Sequence, residues 1–204
     1  MFRLLQGDVG SGKTIVSLLA ALNAINSNFQ VAFMAPTEIL AKQHYNLAKK
    51  IFPYQLEIEL ISGKSNYKDK KEILRKLYKK EIDIIFGTHA IFQNKVEFNN
   101  LGLIIIDEQH KFGVNQRKRL SDKGGDNCDI LLMTATPIPR TLTMTLYGDM
   151  DLSIIKEKPK LRKPIKTYSK LENKIDDIIR FINKEIISGN QIFWVCPLIE
   201  ESKK

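Results

Sequence analysis

Cysteine and long apolar runs are scarce in this sequence, and each shortage excludes a class of protein. The chain has 204 residues but only 2 cysteines, Cys128 and Cys196, and 3 histidines. The cysteines are far apart and neither has a partner at metal-ligand spacing, so the sequence indicates neither a zinc site nor a disulfide framework. We expect both to be small buried hydrophobes.

No apolar run reaches the roughly 20 residues that span a bilayer, and the N-terminus lacks the charged-then-apolar order of a signal peptide. We therefore expect a cytoplasmic protein with no membrane partner. The charge is unbalanced, because 32 Lys and Arg against 23 Asp and Glu give a net +9. Such a surplus is compatible with a polyanionic partner such as nucleic acid. A compositional bias toward lysine, isoleucine and asparagine along the whole chain explains it equally well.

One segment near the N-terminus, which we call the phosphate loop, matches the pattern of Gly, four residues, Gly, Lys and Ser or Thr. It consists of Gly7, Asp8, Val9, Gly10, Ser11, Gly12, Lys13 and Thr14. Its glycines permit a tight turn around an anion, and the N-terminus of the following helix attracts phosphate. We expect Lys13 to reach the β- and γ-phosphates of a nucleotide and Thr14 to ligate Mg²⁺. A chance Gly-rich turn is disfavoured, since a short apolar strand precedes the segment and helical periodicity follows it.

Apolar strands alternate with amphipathic helices along the rest of the chain. This alternation predicts an α/β fold with a mostly parallel, doubly wound sheet. The predicted strands are Phe2–Leu5, Gln30–Met34, Glu57–Ile61, Asp83–Phe86, Leu103–Ile106 and Ile130–Met133. Polar residues follow five of them, and carboxyl ends of parallel strands form the binding edge of such a sheet. We therefore expect a single ligand-binding edge there.

An acidic pair, Asp107 and Glu108, lies at the end of one continuous apolar strand. Next to a phosphate loop, Asp107 is suited to hold Mg²⁺ and Glu108 to orient and deprotonate a water molecule. Gln109 and His110 follow directly, and we count both as candidate catalytic residues. For His110 we favour hydrogen bonding toward the threonines that follow the Ile130–Met133 strand over a purely structural role. The two other histidines, His44 and His89, receive no catalytic role.

The character of the sequence changes after Gly148, and a basic, proline-containing stretch runs over Lys156–Lys166. We expect an α/β domain over 1–152, a linker over 153–170 and the opening of a second α/β lobe over 171–204. That opening contains a predicted helix around Ile175–Ile186 and a predicted strand, Gln191–Cys196. We expect the sequence to be a piece of a longer protein.

Five motifs of the chain together resemble those of a known family. GDVGSGKT, APTEILAKQH, GTHAIF, DEQHKFGVNQR and TATPIPRTL resemble, in order and spacing, the first motor lobe of superfamily 2 helicases. Glu38 within APTEILA, Gln109 within DEQH, and the runs YGDMDLS and FWVCPLIEES resemble more closely the RecG-type enzymes. These are bacterial ATP-dependent DNA helicases that remodel branched DNA.

The resemblance implies a RecA-like domain that binds ATP and Mg²⁺, with forked or branched DNA as partner. It implies contacts to the DNA backbone from Pro36, Thr37, Gly87 and Thr88. It also implies a link between ATP state and DNA grip through Thr134, Ala135 and Thr136. A DNA-junction wedge domain and the rest of a second motor lobe, with its arginine fingers, are expected from the same parent chain. Without them, we expect this chain to bind nucleotide weakly and hydrolyse it very slowly.

Two alternatives stay open at this point. A transcription-repair coupling translocase shares TATPIPRTL, although it has DEEH rather than DEQH. A non-catalytic nucleotide-binding module is the rival from another class, and intact Lys13, Asp107 and Glu108 argue against it for the parent protein.

Overall fold

Seven strands join into one sheet in which all described pairings are parallel. The computed structural model describes residues 1–63, 67–93, 95–108, 128–136, 150–157 and 165–195. The chain divides into two units, Met1–Leu161 and Arg162–Lys204, and the sheet belongs to the first. Its strand order is β3 (Ile58–Ile61), β4 (Ile84–Gly87), β2 (Gln30–Met34), β5 (Leu101–Ile106), β6 (Asp129–Thr134), β1 (Phe2–Gly7) and β7 (Asp151–Ile155). The predicted parallel α/β fold is confirmed.

The strands of the first unit are β1 Phe2–Gly7, β2 Gln30–Met34, β3 Ile58–Ile61, β4 Ile84–Gly87, β5 Leu101–Ile106, β6 Asp129–Thr134 and β7 Asp151–Ile155. Its helices are α1 Lys13–Asn26, α2 Glu38–Ile51 and α3 Tyr67–Tyr78, and a short 3₁₀ helix spans His89–Phe92. The six predicted strands are present with bounds that differ by at most a few residues. β7 was not predicted, because it is a partly exposed edge strand rather than a continuous apolar run.

The sheet is covered by helices on both faces. On one face, Phe33 and Ile105 pack with Leu18 of α1 and Ala48 of α2. On the other face, residues such as Ile104 pack with apolar residues of α3. Side chains alternate between faces along a strand, so a strand buried on both faces must be apolar throughout. This requirement explains why the central strands are uninterrupted apolar runs.

The second unit contains a 3₁₀ turn, Glu172–Lys174, followed by a helix, α4, at Ile175–Ile187. The predicted strand over Gln191–Cys196 is wrong for its described part, because residues 191–195 have no regular secondary structure. A strand requires a neighbouring strand to satisfy its backbone groups, and the described residues of this unit supply none. Cys196 lies outside the described residues.

The predicted domain boundaries remain predictions. β7 continues to Ile155, which is three residues into the range predicted as linker, and the division between units falls after Leu161. Within the described ranges, no helix combines the length and apolar character that crossing a membrane requires.

Candidate active site

The segments that carry the predicted site residues leave the same edge of the sheet. Gln6 of β1 lies opposite Thr134 of β6, and Met34 of β2 lies opposite both Ile106 of β5 and Gly87 of β4. Because every pairing is parallel, all these strands end together. β1 and β5 flank β6, so the phosphate loop and the acidic pair are separated by two strand spacings, about 10 Å.

The phosphate loop has the backbone conformation that its glycines predict. Gly10 and Gly12 adopt positive φ angles of 79° and 94°, which residues with a Cβ rarely adopt. At Gly7, a Cβ atom would lie 2.5 Å from the Ser11 Oγ atom, so the turn has no room for a side chain. α1 begins at Lys13, directly after the loop.

Two side chains of the loop, those of Lys13 and Ser11, carry donors that can bind an anion. The Lys13 ammonium donates to the carbonyl oxygens of Gly7, at 2.8 Å, and Asp8, at 3.0 Å. The Ser11 hydroxyl oxygen is buried and has no hydrogen-bond partner among the described residues. A buried polar atom without a partner is costly, and phosphate oxygens at this place would supply one. The loop therefore fits a nucleotide phosphate.

Asp107 is held on three sides at the end of β5. Its backbone N–H donates to the Met34 carbonyl at 2.9 Å, and its Oδ1 accepts the Glu108 N–H at 3.0 Å. Its Oδ2 lies 2.9 Å from Nε2 of His44. The side chains of Asp107 and His44 are only 13% and 10% exposed. The carboxylate therefore has one fixed orientation at the edge of the sheet.

Glu108 has a left-handed backbone, with φ of 52°. This conformation is uncommon for a residue with a Cβ and is concentrated at functional sites. It turns the chain sharply at the end of the strand, directly after the Asp107 carboxylate. Gln109 and His110, which were predicted to be catalytic, lie outside the described residues.

His44 was not assigned a role by sequence reasoning, yet it contacts the acidic pair. It lies on the buried face of α2, together with Ala41 and Ala48. Its ring packs against Phe33, with centroids 4.7 Å apart. The spacing of these three positions is helical, so periodicity could have placed His44 on the sheet side of α2. Nothing in the sequence identified Asp107 as its partner.

The four residues expected to contact DNA lie at the carboxyl ends of two neighbouring strands, β2 and β4. Pro36 and Thr37 follow β2, Gly87 and Thr88 close β4, and the Ala35 N–H joins these ends by donating to the Gly87 carbonyl at 2.9 Å. Thr37 caps α2, since its hydroxyl accepts the Leu40 N–H at 3.3 Å. At Gly87, a Cβ would lie 2.9 Å from the Ile61 carbonyl oxygen, which explains the glycine.

The threonines after β6 are bonded to each other. The hydroxyl oxygens of Thr134 and Thr136 are 2.9 Å apart, and the Thr136 N–H donates to the Thr134 hydroxyl at 3.2 Å. Thr134 is fully buried, so this bond orders the turn through Ala135. The expected bond from His110 to these threonines involves a residue outside the described ranges and stays a prediction.

The oxygen ligands available at this edge suit Mg²⁺. The described ranges contain no group of three or more His, Cys, Asp or Glu side chains that could hold a metal. Mg²⁺ in nucleotide sites is bound by one or two protein oxygens, with phosphates and water completing its shell. One carboxylate, from Asp107, and one hydroxyl, from Thr14, match that donor set.

Comparison with known proteins agrees with the motifs. The family model described as DEAD/DEAH box helicase matches residues 3–145. The chain is 51% identical over 203 residues to the ATP-dependent DNA helicase RecG of Streptococcus pneumoniae, and 51% identical over 205 residues to that of Bacillus subtilis. Both alignments cover 100% of the chain and 30% of the relative, so the chain spans less than a third of these relatives' length.

Solved structures of helicases also match this chain. The structure described as RecG bound to a three-way DNA junction matches with a TM-score of 0.79 and 42% identity, over 97% of this chain and 26% of that one. A DEAD box protein from Methanococcus jannaschii matches with a TM-score of 0.61 and 22% identity, over 76% of this chain and 46% of that one, and shows the fold alone. The predicted resemblance and the RecA-like fold are confirmed.

Proposed function

This chain belongs to the DEAD/DEAH box helicase family, and we propose that it is the ATP-binding motor lobe of a RecG-type ATP-dependent DNA helicase. The observation that carries the proposal is the placement of the phosphate loop and the Asp107–Glu108 pair on one sheet edge, with one strand, β6, between them. The identity of about half to RecG proteins over the whole chain supports the type of helicase. We further propose the divisions 1–152, 153–170 and 171–204 as lobe, linker and beginning of a second lobe.

The proposed division of work follows from the chemistry of each group. The backbone amides of the phosphate loop and the Lys13 ammonium bind the phosphates of ATP. Thr14 and Asp107 would hold Mg²⁺, which supplies charge neutralisation at the transferred phosphoryl group. Glu108 orients the attacking water and accepts its proton. The described groups thus account for binding of the nucleotide and for activation of the attacking water.

DNA is proposed to bind across the loops after β2 and β4. The hydroxyls of Thr37 and Thr88 and the backbone at Pro36 and Gly87 suit contacts to phosphates, which position a motor without reading sequence. The neighbouring turn, Thr134–Thr136, is the proposed link between ATP state and DNA grip. Branched DNA is proposed as the substrate because a similar protein has been solved on a three-way junction.

The lobe by itself is proposed to be a poor enzyme. In related motors an arginine finger from another element stabilises the transition state and is worth about 10³ to 10⁵ in rate. We therefore expect the 204-residue chain to bind ATP weakly and to hydrolyse it hardly at all. The full-length protein is proposed to act in DNA repair and recombination in the bacterial cytoplasm.

The test uses the full-length protein that contains this sequence. ATP hydrolysis is measured alone, with forked DNA, with linear duplex DNA and with RNA, and strand separation is followed on the fork. The proposal requires fork-stimulated hydrolysis and unwinding, both lost in Glu108→Gln and both kept in Glu81→Gln, an exposed glutamate before β4. Stimulation by RNA alone would favour an RNA helicase. Nucleotide binding without any hydrolysis would favour the non-catalytic module.

A further inference from the structure

His44 lies between two parts of the proposed machinery, and no role was assigned to it from the sequence. Its Nε2 is bonded to Asp107, and its helix, α2, begins directly after Thr37. We propose that His44 is a positioning residue that fixes the Asp107 carboxylate for Mg²⁺ and links it, through α2, to the DNA-contact loop at Pro36–Thr37. This inference rests on the proposed function.

The direction of the His44 bond follows from the two groups. A carboxylate only accepts hydrogen bonds, so Nε2 of His44 carries the hydrogen and donates it to Oδ2 of Asp107. Oδ1 is held separately by the Glu108 N–H. Each carboxylate oxygen therefore has one donor and keeps a further lone pair with which it can ligate Mg²⁺. His44 is the one side chain that the described residues place in hydrogen-bond contact with Asp107.

The ring of His44 cannot easily turn away. The His44 side chain is buried and packs against Phe33, whose own ring is buried and stacks on Phe86 at 5.0 Å. The neighbours of His44 on the buried face of α2, Ala41 and Ala48, are small and bring the helix close to the sheet. The same packing against the sheet therefore fixes both the orientation of the His44 ring and the position of α2.

α2 connects the two sites as a single rigid element. His44 is seven residues after Thr37, so the helix carries it about 10 Å along its axis from the capped end. Thr37 caps that end through the Leu40 N–H, which ties the DNA-contact loop to the first turn. A shift of the loop when DNA binds would therefore move His44 and, with it, the Asp107 carboxylate. This route differs from the proposed link through Thr134–Thr136.

The test compares two amides at position 44 in the full-length protein. The amide nitrogen of Gln can occupy the place of Nε2, whereas that of Asn is too short to reach Asp107. His44→Phe keeps the ring and its packing but removes the donor, and Gln43→Asn, exposed on the same helix, is the position control. Each variant is first checked for folding by chemical denaturation.

The first measurement is equilibrium binding of a fluorescent ADP analogue with Mg²⁺ and with EDTA. Replacing a residue that orients a metal ligand typically lowers the metal affinity about 10- to 100-fold. We expect His44→Asn and His44→Phe to raise the Mg²⁺ concentration for half-maximal binding by about tenfold or more, with binding in EDTA unchanged. His44→Gln should remain close to wild type. An unchanged Mg²⁺ requirement in folded Asn and Phe variants would overturn the positioning role.

The second measurement is the factor by which forked DNA stimulates ATP hydrolysis at saturating Mg²⁺. We expect this factor to fall in the Asn and Phe variants and to be kept in the Gln variant and in Gln43→Asn. An unchanged factor would overturn the link to DNA. Should wild type show no stimulation, the proposed function fails, while the Mg²⁺ titration still decides whether His44 positions Asp107.

Discussion

The Lys13 ammonium lies 2.8 Å from the carbonyl oxygen of Gly7, so the lysine of the phosphate loop is bonded to the residue that opens the same loop. A second bond to the Asp8 carbonyl, at 3.0 Å, completes this arrangement. Charged phosphate oxygens bind an ammonium more strongly than neutral carbonyls do. Phosphate oxygens at the loop would therefore bind the Lys13 ammonium in preference to these two carbonyls.

The first prediction concerns that lysine. In the full-length protein, Lys13→Ala should lower kcat for ATP hydrolysis by about 10²-fold or more, because preorganised charge at the transferred phosphoryl group is lost. Lys42→Ala, an exposed lysine on α2, should leave it unchanged. Steady-state hydrolysis with forked DNA is the measurement. Near-normal turnover in Lys13→Ala would refute the assignment of the phosphate loop.

The local sequence was sufficient to predict the phosphate loop and the central strands of the sheet. The pattern from Gly7 to Thr14 prescribes a backbone shape, and the apolar run in β5 is the direct result of burial on both faces. The sequence was insufficient to predict elements whose formation depends on pairing or packing with distant parts of the chain. β7 pairs at the sheet edge with little apolar content, and the run over Gln191–Val195 has strand character but no described partner. The contact between His44 and Asp107 joins residues 63 positions apart, which no local pattern reveals.

The second prediction concerns the threonine turn after β6. Thr136→Val removes the hydroxyl that lies 2.9 Å from Thr134 while keeping the side-chain shape. If this turn transmits ATP state to DNA grip, unwinding of forked DNA should fall by about tenfold, within the usual range of coupling energies. DNA-stimulated hydrolysis should stay close to wild type.

The control for the turn is Thr167→Val, which makes the same change at an exposed position. It should affect neither activity. Equal losses of hydrolysis and unwinding in Thr136→Val would show that the turn serves the chemistry itself rather than the link to DNA.

A third prediction concerns stability at the opposite edge of the sheet. Gln30 is only 1% exposed, and its amide nitrogen donates to the carbonyls of Leu77 and Ile82, both at 2.9 Å. Its amide oxygen accepts the N–H groups of Asn99, at 2.8 Å, and Asn100, at 3.0 Å. One side chain thus satisfies four backbone groups that lie around the start of β2.

Removing this amide should destabilise the fold. Gln30→Leu keeps much of the volume but removes all four hydrogen bonds, and the Leu77 carbonyl alone keeps a second donor, the Lys80 N–H at 3.1 Å. We expect the free energy of unfolding to fall by about 2 to 4 kcal/mol. Gln43→Leu, exposed on α2, should change it by less than about 0.5 kcal/mol. Urea denaturation followed by circular dichroism measures both. A loss for Gln30→Leu no larger than that for Gln43→Leu would contradict the role of the amide.

The last prediction is a pH dependence at Cys128. Burial, and then the nearby negative charge of Asp129, raise the pKa of this thiol from 9.0 to about 11. The folded chain therefore keeps the thiol proton more tightly than the unfolded chain does, so this group stabilises the fold below pH 9 and its contribution is lost as the pH rises toward 11. In the 204-residue chain carrying Cys196→Ser, alkylation by iodoacetamide reports the thiolate. The rate should reach half its maximum near pH 11 in the folded chain and near pH 9 in urea, whereas a midpoint near 9 in both would contradict the burial of this thiol.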